Sequence, residues 1–211
     1  MSALDAAVAL YRSADPAVRW HVRLRRALSC LEAVEAALPR AGAVLEVGCG
    51  HGLFTNYAAL ASPERRVLGI DIDPRKLAAA RRTARAGVRF EEGDARTPPP
   101  GPFDAIVIVD VLYLLDEAGQ AGALDALART LRPGGVLVWK TQVDRPRWKF
   151  WITRGQEWLV TRAGLTAGAS LTFLSRERAL ALLDAAGFRD VEARGFPGRI
   201  YTDVLYVARA S

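Results

Sequence analysis

A short apolar run closing on an acid and three alternating glycines constrains this chain more than any other feature: Val44-Leu45-Glu46-Val47-Gly48-Cys49-Gly50-His51-Gly52. It predicts a buried strand that hands its backbone to a tight turn. Glycine at 48, 50 and 52 permits positive φ and removes Cβ atoms where a ligand must pass close to the main chain. Two common phosphate cradles do not fit. The spacing is G-x-G-x-G rather than the G-x-G-x-x-G of a dinucleotide loop, and the charge of Glu46 would repel a pyrophosphate. No Gly-Lys-Ser/Thr follows, which removes a P-loop. An acid at position 46 suits a ligand with a cationic or hydroxyl-rich end.

Two further acids fall in register with the loop. Val67-Leu68-Gly69-Ile70-Asp71 reads as a second strand closing on a carboxylate, roughly 20 residues on, where doubly wound folds reach ribose hydroxyls. Val88-Arg89-Phe90-Glu91-Glu92-Gly93-Asp94-Ala95 is a third strand with an acid just past its end. Each acid alone would suit a helix cap or a solvated turn. Ligands of open α/β sheets bind outside the carboxyl ends of the strands, so Glu46, Asp71 and Asp94 are expected to converge on one crevice.

Over roughly residues 42–141 the chain resembles the class I S-adenosylmethionine-dependent methyltransferases. The resemblance implies a Rossmann-like α/β three-layer sandwich, with a mostly parallel seven-stranded sheet and an antiparallel last strand. It implies that Glu46, Gly48, Gly50 and Gly52 hold the methionine part of the cofactor. Asp71 would take the ribose hydroxyls, with Ile72 against the adenine. Asp94 would meet the adenine amino group, and Ala95 would offer a backbone N–H to the ring. Asp110, at the end of the strand Phe103-Asp104-Ala105-Ile106-Val107-Ile108-Val109, would open onto the reacting methyl. The turn Leu131-Arg132-Pro133-Gly134-Gly135 would lead into the fifth strand, which ends the cofactor half.

The rest of the chain agrees with one domain over 1–211: a helical cover at 1–40, a cofactor half at 42–141, an insertion at 142–174 and a terminal helix and hairpin at 175–211. With 211 residues and 51% apolar composition, a sizeable core is available. A helix is expected over 16–38, with Asp15 and Pro16 at its start and Pro39 at its end. Strand and helix then alternate: strand 43–48, helix 53–61, strand 66–71, helix 74–86, strand 88–92, strand 103–110, helix 117–131, strand 135–141. Asp116 and Ser175 are expected caps. Pro98-Pro99-Pro100-Gly101-Pro102 makes the third crossover short or irregular. A helix 176–186 and strands 188–194 and 200–209 joined at Phe196-Pro197-Gly198 close the chain.

Two cysteines and two histidines support neither a disulfide framework nor a zinc site, and no paired metal-binding acids stand out. The N-terminus lacks a signal-peptide pattern and Asp110 interrupts the longest apolar run, so a cytosolic protein is expected. The net charge is +6, yet only three of the 29 basic residues are lysine, and arginine-rich, alanine-rich usage disfavours a general nucleic-acid surface. The stretch 140–162 stands apart, with six basic residues, two acids and three of the five tryptophans. Trp148, Trp151, Ile152, Gly155, Trp158 and Leu159 recur at helical spacing. That run is expected to pack on the domain or to form a lid that meets an acidic carrier protein or an anionic membrane surface through 145–162, which would add a peripheral membrane location.

Methyl transfer from a sulfonium needs chiefly alignment, and a general base only for a weakly acidic acceptor. Tyr113, after the fourth strand, and His21, on the first helix with Tyr11, Arg19 and Arg23 nearby, are the candidate catalytic groups. An arginine of that helix would bind the methionine carboxylate. No Asn-Pro-Pro-Tyr-type run follows the fourth strand, which argues against amide or base nitrogen acceptors. The reading is methyl transfer from S-adenosylmethionine to a small-molecule, lipid-like or carrier-bound acceptor. Aminopropyl transfer is the closest enzymatic rival, disfavoured because it needs acids for a polyamine. An RNA-modifying methyltransferase and a cofactor-binding protein without catalysis are also compatible with these motifs.

Overall fold

The structure, a computed structural model, describes residues 1–143, 171–196 and 203–211. Strands β1 (Gly42–Val47), β2 (Arg65–Asp71), β3 (Val88–Glu92), β4 (Phe103–Val109) and β5 (Leu131–Gln142) pair in parallel. With β6 (Phe188–Gly195) and β7 (Asp203–Ala210) they form one sheet in the order β3-β2-β1-β4-β5-β7-β6. The last strand, β7, runs antiparallel to both neighbours. The fold class is therefore the one the sequence implies.

Residues of β4 alternate between two apolar layers, as a strand buried on both faces must. Ile106 and Ile108 join Leu45, Val47, Leu137 and Trp139 in one core. Val107 and Val109 join Val44 and Val138 in the other. Helices α6 (Glu117–Ala128) and α7 (Arg176–Ala185) contribute Leu124, Leu127 and Leu183 to the first layer. The second is closed by α1 (Ala3–Ala9), α2 (Pro16–Leu28), α3 (Leu31–Ala36) and α4 (Leu53–Ala61), through Leu4, Val22, Val34 and Phe54. Helix α5 (Pro74–Arg81) places Leu77 with Val88 and Phe90 beside β3.

The caps read from sequence hold: Asp15, Asp116 and Ser175 accept N–H groups of Ala17, Gly119 and Arg178. Other expectations need correction. The single helix over 16–38 is two, because Cys30 takes a left-handed φ of 47° between α2 and α3. Helix α1, with its Ser2/Asp5 capping box, precedes the first element expected. Helix α5 stops at Arg81 rather than 86 and α6 at Ala128 rather than 131, while β5 starts at Leu131, which pairs with Phe103. The third crossover holds only an isolated Asp94–Thr97 bridge, as its prolines require. The amphipathic run at 146–162 lies outside the described residues, as does most of the hairpin turn expected at 196–198.

Strand numbering runs outward from β1 to β3 on one side and from β4 to β5 on the other. The crevice at the carboxyl ends of β1 and β4 is the switch point at which such sheets bind ligands.

Candidate cofactor and active site

Main-chain bonds fix the glycine turn. Gly48 and Cys49 both donate to the Ile70 carbonyl, at 2.8 and 2.9 Å, and Gly52 donates to Cys49 at 2.9 Å. Gly48, Gly50 and Gly52 have φ of 71°, 56° and 81°. Their roles differ. A Cβ at Gly48 would collide with Val111 and one at Gly52 with Phe90, whereas a Cβ at Gly50 would enter open space. Of the three, only Gly50 borders open space. The other two let β1 approach the segment after β4 and the face of β3.

Glu46 is 1% exposed and accepts the Thr55 hydroxyl. Burial, opposed in part by that hydrogen bond and by Arg25, raises its pKa to about 7. Asp71, also buried, accepts the Gly50 N–H at 2.8 Å on one oxygen and the Asp73 N–H at 2.9 Å on the other. It thus ties β2 to the glycine that opens the loop. The next residue, Ile72, is 69% exposed. Asp94 is chelated by Arg96, whose Nε lies 3.1 Å from each oxygen, and the hydrogen bonds to that guanidinium lower its pKa. Ala95 is buried behind it. Asp71 thus reaches the loop through Gly50, Glu46 is held by Thr55 of α4, and Asp94 has a guanidinium partner.

Asp110 is tied into the sheet. It has a φ of 59°, a strained value for a residue with a side chain, and its Oδ1 lies 2.7 Å from Lys140 Nζ. Lys140 Nζ is also 2.8 Å from Asp203 Oδ1, and the ammonium and both carboxylates are largely buried. The carboxylate assigned to the cofactor is thus engaged in a network joining β4, β5 and β7. From the sequence, Lys140 counts only among the basic residues of 140–162, and Asp203 is not singled out. The one available signal was a lone lysine inside the apolar run of β5.

Helix α2 lies over the loop. His21 packs against His51 with rings tilted by 56° and centroids 4.8 Å apart, and with Arg25, Cys49 and Gly50 they line a cavity of about 10 Å³. Burial, followed by His51 and Arg25, lowers the pKa of His21 to about 4. A histidine of that basicity is neutral near pH 7 and a weak general base. The arginine expected at the cofactor was sought at positions 19 and 23, but these face α1 across a separate cavity, and Arg25 takes the loop side. Tyr11, 2% exposed, donates to the His51 carbonyl at 2.7 Å and so anchors the N-terminal cover to the loop. Tyr113, on the 3₁₀ turn Leu112–Leu114 after β4, stacks on Phe173 with centroids 5.1 Å apart.

These residues fit a nucleoside carrying a cationic amino-acid tail. Gly50 leaves room, Glu46 supplies a buried acid, Asp71 an acceptor at the sugar position, and Ile72 an open apolar surface. His51 Nδ1 is buried with no hydrogen-bond partner among the described residues, as expected of a group that serves a ligand. A sheet of this order with such a loop at its switch point defines a Rossmann-like domain of the methyltransferase type.

Residues 44–135 match the family described as a methyltransferase domain. A trans-aconitate 2-methyltransferase from Methylobacterium nodulans is 40% identical over 116 residues, 54% of this chain and 43% of that protein. A fatty-acid O-methyltransferase from Mycolicibacterium smegmatis is 34% identical over 112 residues, 50% of this chain and 40% of that one. Other matches are named for ribosomal protein L11 and for a tRNA guanine. The chain spans about half the length, or less, of the first curated relatives it matches. An S-adenosylmethionine-dependent methyltransferase from Mesorhizobium loti shares the fold, with a TM-score of 0.67 at 21% identity over 84% of this chain and 96% of that one. A methyltransferase domain thus matches residues 44–135, and the chain has the Rossmann-like fold of the class I S-adenosylmethionine-dependent methyltransferases.

Proposed function

We propose that the protein transfers a methyl group to a small-molecule or lipid-like acceptor. The observation that carries this reading is the pairing of an open Gly50 with two buried acids, Glu46 and Asp71, at the switch point. S-adenosylmethionine, when bound, supplies an electrophilic methyl on a sulfonium. The chain's residues bind and orient it: Asp71 takes the ribose hydroxyls and Ile72 covers one adenine face. Glu46 compensates positive charge at the methionine end, and Arg25 takes the carboxylate there. His21 and Arg25 line the cavity between α2 and the loop, from which they would close over the methionine end.

At the acceptor side, Val111 against Gly48 brings the segment 110–113 beside the loop. Tyr113 and Phe173 form an aromatic wall that positions an acceptor and excludes water. A weak base at His21 and an Asp110 paired to Lys140 favour an acceptor that is already nucleophilic, such as a carboxylate. The relatives named for trans-aconitate and for fatty acids point to the same class.

Incubation with methyl-labelled S-adenosylmethionine and a panel of short polycarboxylates, fatty acids, tRNA and ribosomal protein tests the reading. Label in a carboxylate ester supports it. Transfer confined to tRNA or protein overturns it.

A further inference from the structure

Helix α2 presents three different faces. His21 and Arg25 cover the glycine loop, and Val22 is buried in the core. One turn around, Arg19, Arg23 and Arg26 face α1. Beyond them, at i, i+3, i+7 and i+10 spacing, lie Ala17, Trp20, Leu24 and Ala27, all exposed. Trp20 is 66% exposed, Leu24 39% and Met1 94%; with Ile72 they are the exposed large apolar side chains of the described residues. Ile72 has a place in the cofactor site. Met1 lines the α1–α2 cavity with the arginines, and Trp20 and Leu24 lie on the adjoining face of α2.

The charge at this patch is one-sided. Helix α2 carries four arginines and no acid. The cavity beside it, about 260 Å³, is lined by Arg12, Arg19, Arg23 and Arg26, with Asp5 the one acid, and Asp5 is already paired with Arg26. A concavity of exposed guanidinium groups next to an exposed tryptophan, leucine and methionine matches the two layers of a bilayer surface, phosphate outside and acyl chain inside. Nucleic acid fits less well. Bases gain from aromatic faces, of which the patch offers one, whereas Leu24 and Met1 gain from hydrocarbon.

We propose that this face of α2 is a docking surface for an anionic phospholipid bilayer, with the arginine-lined cavity receiving a headgroup phosphate. The surface is separate from the residues that hold the cofactor, but shares their helix. It therefore sets the mouth of the site close to the membrane, where a lipid-like acceptor would be presented.

The test is co-sedimentation of the full chain with vesicles of phosphatidylcholine alone, and with about one third phosphatidylglycerol. Binding should require the anionic lipid and fall as salt rises. At about fivefold per arginine, Arg19→Gln with Arg23→Gln should weaken it roughly 25-fold. Trp20→Ala with Leu24→Ala should weaken it about tenfold or more. These side chains are exposed, so both variants should keep the parent's melting point and its affinity for S-adenosylhomocysteine, which reads the cofactor site separately. Equal binding to neutral vesicles, no binding to either, parent-level binding by both variants, or binding to duplex RNA in preference to vesicles would overturn the proposal.

Discussion

Replacing Glu46 by glutamine should change how stability depends on pH, and the structure sets the size and sign. The carboxyl is buried and its pKa rises from 4.5 to about 7, with desolvation the largest cause. A group whose pKa is raised by folding adds stability that is complete below its unfolded pKa and is lost as pH rises through the folded one. At 1.36 kcal/mol per unit, Glu46 adds about 2.5 kcal/mol at pH 5 and close to nothing at pH 8. Glutamine has the same shape and does not titrate. The unfolding free energy of the parent minus that of Glu46→Gln should therefore fall by about 2.5 kcal/mol between those pH values. Urea denaturation at several pH values measures it, and the subtraction removes titrations common to both proteins. A difference that stays flat or grows with pH would refute the reasoning, since it would mean that the carboxyl is solvated or firmly paired in its ionised form.

Other substitutions separate the roles of neighbouring residues. Tyr11→Phe removes the donor to the His51 carbonyl and should cost about 1 kcal/mol in thermal or urea unfolding, while weakening cofactor binding through a looser loop. Gly48→Ala should destabilise the fold by more than Gly50→Ala, because its Cβ meets Val111, whereas Gly50→Ala should chiefly lower cofactor affinity in calorimetry. Lys140→Met leaves Asp110 and Asp203 buried without their ammonium and should cost about 3–5 kcal/mol by urea unfolding.

Legibility in the sequence followed the kind of interaction. The central strands could be placed because apolar runs and terminal acids are local patterns, and the reversed last strand followed from a tight terminal hairpin. The break at Cys30 was hidden: a cysteine in left-handed conformation carries no glycine or proline signal, and the periodicity continues across it. At the site, Glu46, the glycines and Asp71 were visible because they lie within one strand–turn–strand unit. The pairing of Asp110 with Lys140 and Asp203 depends on strands β4, β5 and β7 meeting side by side, and that is tertiary information. Choosing Arg25 over Arg19 or Arg23 needed the rotation of α2 on the loop, which helical periodicity alone does not fix when arginines occupy several faces.

Calorimetric titration with S-adenosylhomocysteine, beside NADH and beside an Asp71→Ala variant, bears most directly on the claim that the Gly50 loop and its two acids form the cofactor site. The account predicts micromolar-range binding of S-adenosylhomocysteine alone, about 1–3 kcal/mol weaker in Asp71→Ala. Absence of binding, preference for NADH, or an unchanged affinity in the variant would contradict it.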